Sequence, residues 1–176
     1  MTARLSRLNS ADLSAETHSA IVALCDAAYE EDSSAYLDAI GPGVHLLLWV
    51  DEQLVSHLMW VTRTLYPDAM PPLRAAYVEL VATHPTAQGQ GHATRLLSQL
   101  ALELVEHDLG ALSPSAAPFY ERLGWELWRG PLWERQDGRV TLSEDESVMI
   151  LRLPATPTEL RLDGGLAVDW RPGEVW

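Results

Sequence analysis

The chain contains no lysine: all twelve basic residues are arginine, set against twenty-five Asp and Glu, and the formal net charge is −13. Schiff-base chemistry on a lysine amine is therefore closed. So is the nucleotide loop Gly-x-x-x-x-Gly-Lys-Ser/Thr. So acidic a chain repels nucleic acid and anionic membrane surfaces, which leaves a cationic ligand as the better-suited partner, although acidity also serves solubility alone. Cysteine occurs once, at Cys25. No internal disulfide can form, so a reducing cytoplasm is the expected compartment. No apolar run reaches the ~18 residues of a membrane span, and the opening Met-Thr-Ala-Arg-Leu-Ser-Arg lacks the apolar core of a signal peptide. The six histidines are scattered without metal-ligand spacing. No metal is expected, and all six read as surface residues, with His84 and His92 near enough to one loop to touch an anion.

What is present is a folded globule: 176 residues with 47% hydrophobic content suffice for a single domain, 1–176, with its own core. Residues 3–9 alternate like a strand, and Ser14 caps a helix whose apolar stripe is Ile21, Val22, Leu24, Cys25 and Ala28. Cys25 belongs to that stripe, with nothing nearby in sequence to activate a thiol. A short helix is expected over 34–40, then a hairpin of 44–50 and 54–65, a Pro-rich loop over 66–73 and a strand over 74–83. A helix to about Asp108 follows, stopped by Gly110. Next come a short strand at 111–113, a helix at 117–123, extended residues at 125–129, an irregular charged stretch, and a strand at 148–153 before a Pro- and Gly-rich end. This order gives an α/β fold with a mixed sheet.

The stretch from Tyr77 to Leu97 organises the rest. An apolar, β-branched strand closed by Pro85 leads into Gln88-Gly89-Gln90-Gly91-His92-Ala93, and apolar residues then recur at helical spacing: Leu96, Leu97, Leu100, Ala101, Leu104. Glycines let a backbone approach a ligand closely, and a helix start aims unpaired N–H groups and partial positive charge into the turn. Such a turn suits a phosphate, though plain packing turns look alike. Gly-x-Gly-x-x-Gly is excluded because the third glycine is missing. Glu79 is the sole acid within the apolar run 76–82, so it is either on a wet face or placed to work as a base, directly or through a water.

The pattern Gln-x-x-Gly-x-Ala resembles the pyrophosphate loop of the GNAT superfamily of acyl-CoA N-acyltransferases. About thirty residues on, Phe119-Tyr120-Glu121-Arg122-Leu123-Gly124-Trp125 resembles that superfamily's helix-to-strand signature. The resemblance implies a central mixed twisted sheet of about six to seven strands with helices on both faces, and acetyl-CoA as cofactor. It places Leu80, Val81 and Ala82 along the pantetheine arm and Gln88, Gly89, Gln90, Gly91, His92 and Ala93 around the pyrophosphate. Glu79 takes the role of general base and Tyr120 that of general acid, with a packed helix aromatic as the alternative reading of Tyr120.

The end of the chain, Asp169-Trp170-Arg171-Pro172-Gly173-Glu174-Val175-Trp176, is similar to the end of aminoglycoside 2'-N-acetyltransferases. So are Ala76-Tyr77-Val78-Glu79, Leu109 to Ser113, and Gly41-Pro42-Gly43-Val44-His45. This likeness, from about residue 4 to 176, implies a cationic aminoglycoside held by Glu79, Ser113, Asp145, Glu174 and the carboxylate of Trp176, and a homodimer. The chain departs from the subfamily at Leu80, where a small residue is usual, and at Ala35, where an acid is usual, leaving Glu30, Glu31, Asp32 and Asp38 as substitutes. It departs also in a shorter, proline-bearing segment between Ser113 and Tyr120 and in Glu174 for Asp. All four fall on the acceptor side, which makes a kasugamycin-type aminoglycoside a candidate. A polyamine, peptide N-terminus or cell-wall amine is the alternative acceptor.

Overall fold

Ser14 starts the first helix: its side chain accepts a hydrogen bond from the Thr17 amide, satisfying one of the N–H groups that a helix start leaves unpaired. The computed structural model describes residues 2–176. Its helices are α1 (Ala15–Tyr29), α2 (Ser34–Ile40), α3 (His92–Glu103) and α4 (Ala117–Glu121). Its strands are β1 (Ala3–Asn9), β2 (Val44–Val50), β3 (Gln53–Pro67), β4 (Leu73–Thr83), β5 (Leu109–Leu112), β6 (Glu126–Leu127), β7 (Leu132–Gln136), β8 (Arg139–Leu142), β9 (Met149–Arg152) and β10 (Leu166–Asp169). They divide into two compact units: Met1–Val61 with Val78–Leu100, and Thr62–Tyr77 with Ala101–Trp176. Strands β3 and β4 and helix α3 each contribute residues to both.

In the first unit β2 pairs antiparallel with β1 and with the first half of β3. Asp51 and Glu52 join β2 to β3 with φ of 45° and 66°, as a two-residue turn matched to strand twist requires. Leu46, Leu47 and Leu48 are consecutive and fully buried, so both faces of β2 are covered. Helix α1 buries Ile21, Leu24 and Cys25. Burial pushes the Cys25 thiol up to about 12, so it is an inert core group, as its place on the apolar stripe implies.

In the second unit β5 runs parallel to the start of β4, and β9 lies antiparallel to β5. Strand β10 pairs antiparallel with the end of β3 and parallel with β7. The sheet is therefore mixed and the fold α/β, as expected, with more strands than six or seven.

Several boundaries differ from expectation. Tyr66 and Pro67 belong to β3, and helix α3 stops at Glu103 rather than near Asp108. The Asp108 amide and carboxylate are instead drawn to the Arg74 backbone, at 2.8 and 2.6 Å, and Gly110 lies inside β5 rather than ending a helix. The charged stretch expected to be irregular is the β7–β8 hairpin, turning at Asp137-Gly138 with both φ positive.

Candidate active site

In the first unit, β4 carries Glu79 with 7% of its surface exposed. A buried carboxylate needs hydrogen-bond partners, and α2 supplies one: the Tyr36 hydroxyl donates to Glu79 Oε2 at 3.0 Å. The next residue, Leu80, is buried and has φ of +50°. A branched side chain in the left-handed region costs on the order of 1–3 kcal/mol and persists where surrounding contacts impose it. One such contact is His57, whose Nδ1 lies 3.1 Å from the Leu80 carbonyl. His57 Nε2 lies 3.0 Å from His45 Nδ1, and His45 Nε2 lies 2.9 Å from the Ser10 hydroxyl.

These histidines correct the expectation of surface placement: His45, His57 and, in the second unit, His107 are buried. Burial pushes His57 down to about 3 and His45 down to about 4, so both rings are neutral at physiological pH. The consequence for stability has a definite sign. As pH falls below 6.5 the unfolded chain protonates these histidines while the folded chain does not, so stability present above that value is lost progressively down to about 4 and 3. At pH 5 the loss is roughly 2 kcal/mol per histidine. Urea unfolding at pH 7.5 and 5 should show His57→Asn losing less between the two than the unmodified chain; equal losses would contradict the assignment.

Beyond β4, Pro85–Ala87 forms a single tight turn, with the His84 ring accepting from the Thr86 amide at 3.3 Å. Gly89 and Gly91 have φ of +74° and +79°, and a Cβ at either would meet nothing within 4 Å. Glycine is required there by conformation, and open space faces the turn. The Gly91 carbonyl accepts the first bond of α3 from the Arg95 amide at 3.0 Å. By helix geometry the amides of His92, Ala93 and Thr94 precede that first bond, and they carry the positive end of the helix dipole. Gln88 through Gly91 are exposed, while His92 and Ala93 are half-buried. The donor set suits a diphosphate.

In the second unit, Tyr120 of α4 is 4% exposed, its ring edge-on to Phe119 and Trp125 at 5.1 and 6.1 Å. Burial raises its hydroxyl above the usual tyrosine range, against a smaller lowering from a hydrogen bond with Ser115. The hydroxyl is thus protonated at neutral pH and able to donate. Packing and proton donation are compatible at this residue.

The same unit gathers the acids. Glu146 is raised by burial first, then by the charges of Glu174, Asp145 and Glu134. Asp145 and Glu174 are exposed. Glu174 is carried by a well-anchored tail: its carbonyl accepts from Arg171 Nε at 2.8 Å, and Arg171 lies 5.6 Å from the Tyr77 ring centroid. Arg63, 5.1 Å from that centroid, donates to the carbonyls of Val175 and Asp169. The Trp176 indole is buried at 2% exposure, and its Nε1 donates to Ser143 Oγ at 2.9 Å.

The structure thus brings Asp145 and Glu174 together around Glu146, with Trp176 bonded to Ser143 two residues before Asp145. Ser113 stands exposed just after β5. Glu31 and Asp32 are exposed ahead of α2, and Asp32 is occupied locally: its Oδ1 accepts from the Ser34 hydroxyl and amide at 2.5 and 2.9 Å, which holds its carboxyl below the usual range. Tyr36, His57, Arg63 and Arg171 stand beside these candidate positions without having been assigned from the sequence, whereas the acidic run Glu144-Asp145-Glu146 is one that the likeness to the subfamily places on the pocket's mobile side. For His57 a signal existed, a lone ionisable residue in the apolar run Leu54–Val61, the same kind of signal that singles out Glu79.

Among the described residues no group of His, Cys, Asp and Glu could hold a metal ion, and no helix is long and apolar enough to cross a membrane.

Comparison with known proteins bears on the family and the fold. The GNAT acetyltransferase domain family matches residues 11–128. An aminoglycoside 2'-N-acetyltransferase of Mycolicibacterium fortuitum is 35% identical over 99% of this chain and 92% of that protein. Among solved structures, an acyl-CoA N-acyltransferase from Pseudomonas aeruginosa superposes with a TM-score of 0.60 at 20% identity, covering 85% of this chain and 99% of that one. A probable N-acyltransferase from Enterococcus faecalis V583 gives a TM-score of 0.62 at 20% identity over 74% of this chain, which spans 34% of that longer protein. These two likenesses bear on the fold, and the matched family domain with the full-length relative bears on kinship. The chain belongs to the GNAT acetyltransferase family.

Proposed function

We propose that this protein is a single-domain, cytoplasmic aminoglycoside 2'-N-acetyltransferase that uses acetyl-CoA, conferring resistance, and that it acts as a homodimer. The observation that carries the acceptor is the carboxylate cluster Glu134, Asp145, Glu146 and Glu174. Burial first, and then the charges of its three neighbours, raise Glu146, and a polycation in their midst converts that repulsion into charge-assisted hydrogen bonds. The relative of Mycolicibacterium fortuitum, similar over nearly its whole length, bears the same activity in its name.

Acetyl-CoA, when bound, supplies the thioester. The turn from Gln88 to Ala93 and the first turn of α3 would hold its diphosphate, and the backbone of Leu80, Val81 and Ala82 would line its pantetheine arm. Glu79 removes the proton from the acceptor's ammonium, since only the free amine is nucleophilic. Tyr36 fixes the Glu79 carboxylate through Oε2. The Tyr120 hydroxyl, held protonated by its burial, would serve as the proton donor to the thiolate leaving group.

The test is thiol release from acetyl-CoA with kanamycin, tobramycin, gentamicin, kasugamycin, spermidine and a short peptide as acceptors. Aminoglycosides are expected to give the highest kcat/KM. Spermidine or the peptide outcompeting all of them would overturn the acceptor assignment.

A further inference from the structure

The buried relay from Ser10 through two histidines ends on the one peptide of β4 whose conformation is strained. With both rings neutral its polarity is determined. A carbonyl can only accept, so His57 Nδ1 donates to Leu80 O, and His57 Nε2 must accept from His45 Nδ1. His45 Nε2 then accepts from the Ser10 hydroxyl. That hydroxyl in turn accepts from the Gly43 amide at 2.9 Å, while the Gly43 carbonyl is served by the Ser10 amide, also at 2.9 Å. The hydrogens of the two rings each have one place, while the Ser10 hydroxyl also lies 3.1 Å from the Gly43 carbonyl; all of the relay lies within the first unit.

The peptide that follows Leu80 is trans, as are all the described peptides. In a trans peptide the C=O and N–H point in opposite directions. A histidine that holds the Leu80 carbonyl therefore aims the Val81 amide away from β3. At this left-handed residue the carbonyl is held by a side chain of the neighbouring strand.

We propose that His57, oriented by His45 and Ser10, is a positioning residue for acetyl transfer: it locks the Leu80–Val81 peptide so that the Val81 N–H is presented to the acetyl-CoA thioester. The inference rests on acetyl-CoA being the bound cofactor. A fixed donor that needs no reorganisation is worth most where charge develops in the transition state, and a misplaced one costs on the order of 10–100-fold in rate. The low pKa values of the two rings keep the donor pattern intact across the physiological range.

The experiment is an NMR titration of the isotope-labelled protein with acetyl-CoA. Ring nitrogen shifts should report the Nδ1–H tautomer at both His45 and His57, and the Val81 amide should move on binding. In His57→Leu that Val81 response should vanish and kcat fall 10- to 100-fold with the acceptor KM within about twofold. His57→Asn, which keeps a donor near the Nδ1 position, should recover both. An Nε2–H tautomer at His57, or a folded His57→Leu chain with an unchanged Val81 response, would overturn the proposal. The tautomer is read on the unmodified chain, so a variant that does not fold leaves the test decisive. If acetyl-CoA shifts no amide anywhere in the unmodified chain, the cofactor reading has failed and the positioning role with it. Binding that leaves Val81 still sinks the positioning role alone.

Discussion

Replacing Glu79 by Gln is expected to lower kcat by about 10²–10⁴-fold, the range over which a positioned general base contributes. The substitution is close to isosteric, and the amide oxygen can still accept from Tyr36, whose hydroxyl lies 3.0 Å from Oε2. What disappears is basicity. The affinity for acetyl-CoA should be nearly unchanged, because that binding is assigned to the backbone of β4 and the glycine turn. The pH dependence separates this account from a structural one: raising the pH deprotonates the acceptor without help, so the deficit of Glu79→Gln should shrink toward alkaline pH. A deficit that is constant with pH, or one below about fivefold, would mean that Glu79 is not the base.

The second large effect is on stability. Trp176 is among the largest fully buried side chains of the chain. Trp176→Ala removes that volume and the bond to Ser143, and is expected to cost roughly 3–5 kcal/mol in chemical denaturation. Trp176→Phe keeps most of the volume and should cost nearer 1 kcal/mol, the net worth of one hydrogen bond. Because the indole bonds to Ser143, two residues before Asp145, the Ala variant should also raise KM for a polycationic acceptor while CoA binding holds. A loss below about 1 kcal/mol would show that the tail packs no differently from a frayed terminus.

Local signals made much of this legible. Ser14 and its apolar stripe mark α1, and the strand-turn-helix around Gly89 and Gly91 reads directly from residue type, because glycine takes a positive φ at the least steric cost. Glu79 stands out as an acid in an apolar run. What stayed hidden was long-range. Tyr36 meets Glu79 across 43 residues, and Arg63 reaches Val175 across 112; no periodicity encodes such pairings. Strand β8 is exposed at all four positions, so it lacks the alternation that betrays a half-buried strand, and its Asp-Gly turn was the remaining clue. The end of α3 was overrun because Leu104 continues the apolar spacing, whereas the chain leaves the helix to meet Arg74.

In the proposed reaction an acetyl group passes from acetyl-CoA to the 2'-amine of an aminoglycoside. The most direct measurement is to isolate the product formed from tobramycin, which carries a 2'-amine, and to locate the acetyl group by mass spectrometry and two-dimensional NMR. The account predicts a singly acetylated product in which the new amide couples to the proton at carbon 2'. Acetylation at another ring amine, or no acetylated tobramycin while spermidine is consumed, would contradict it.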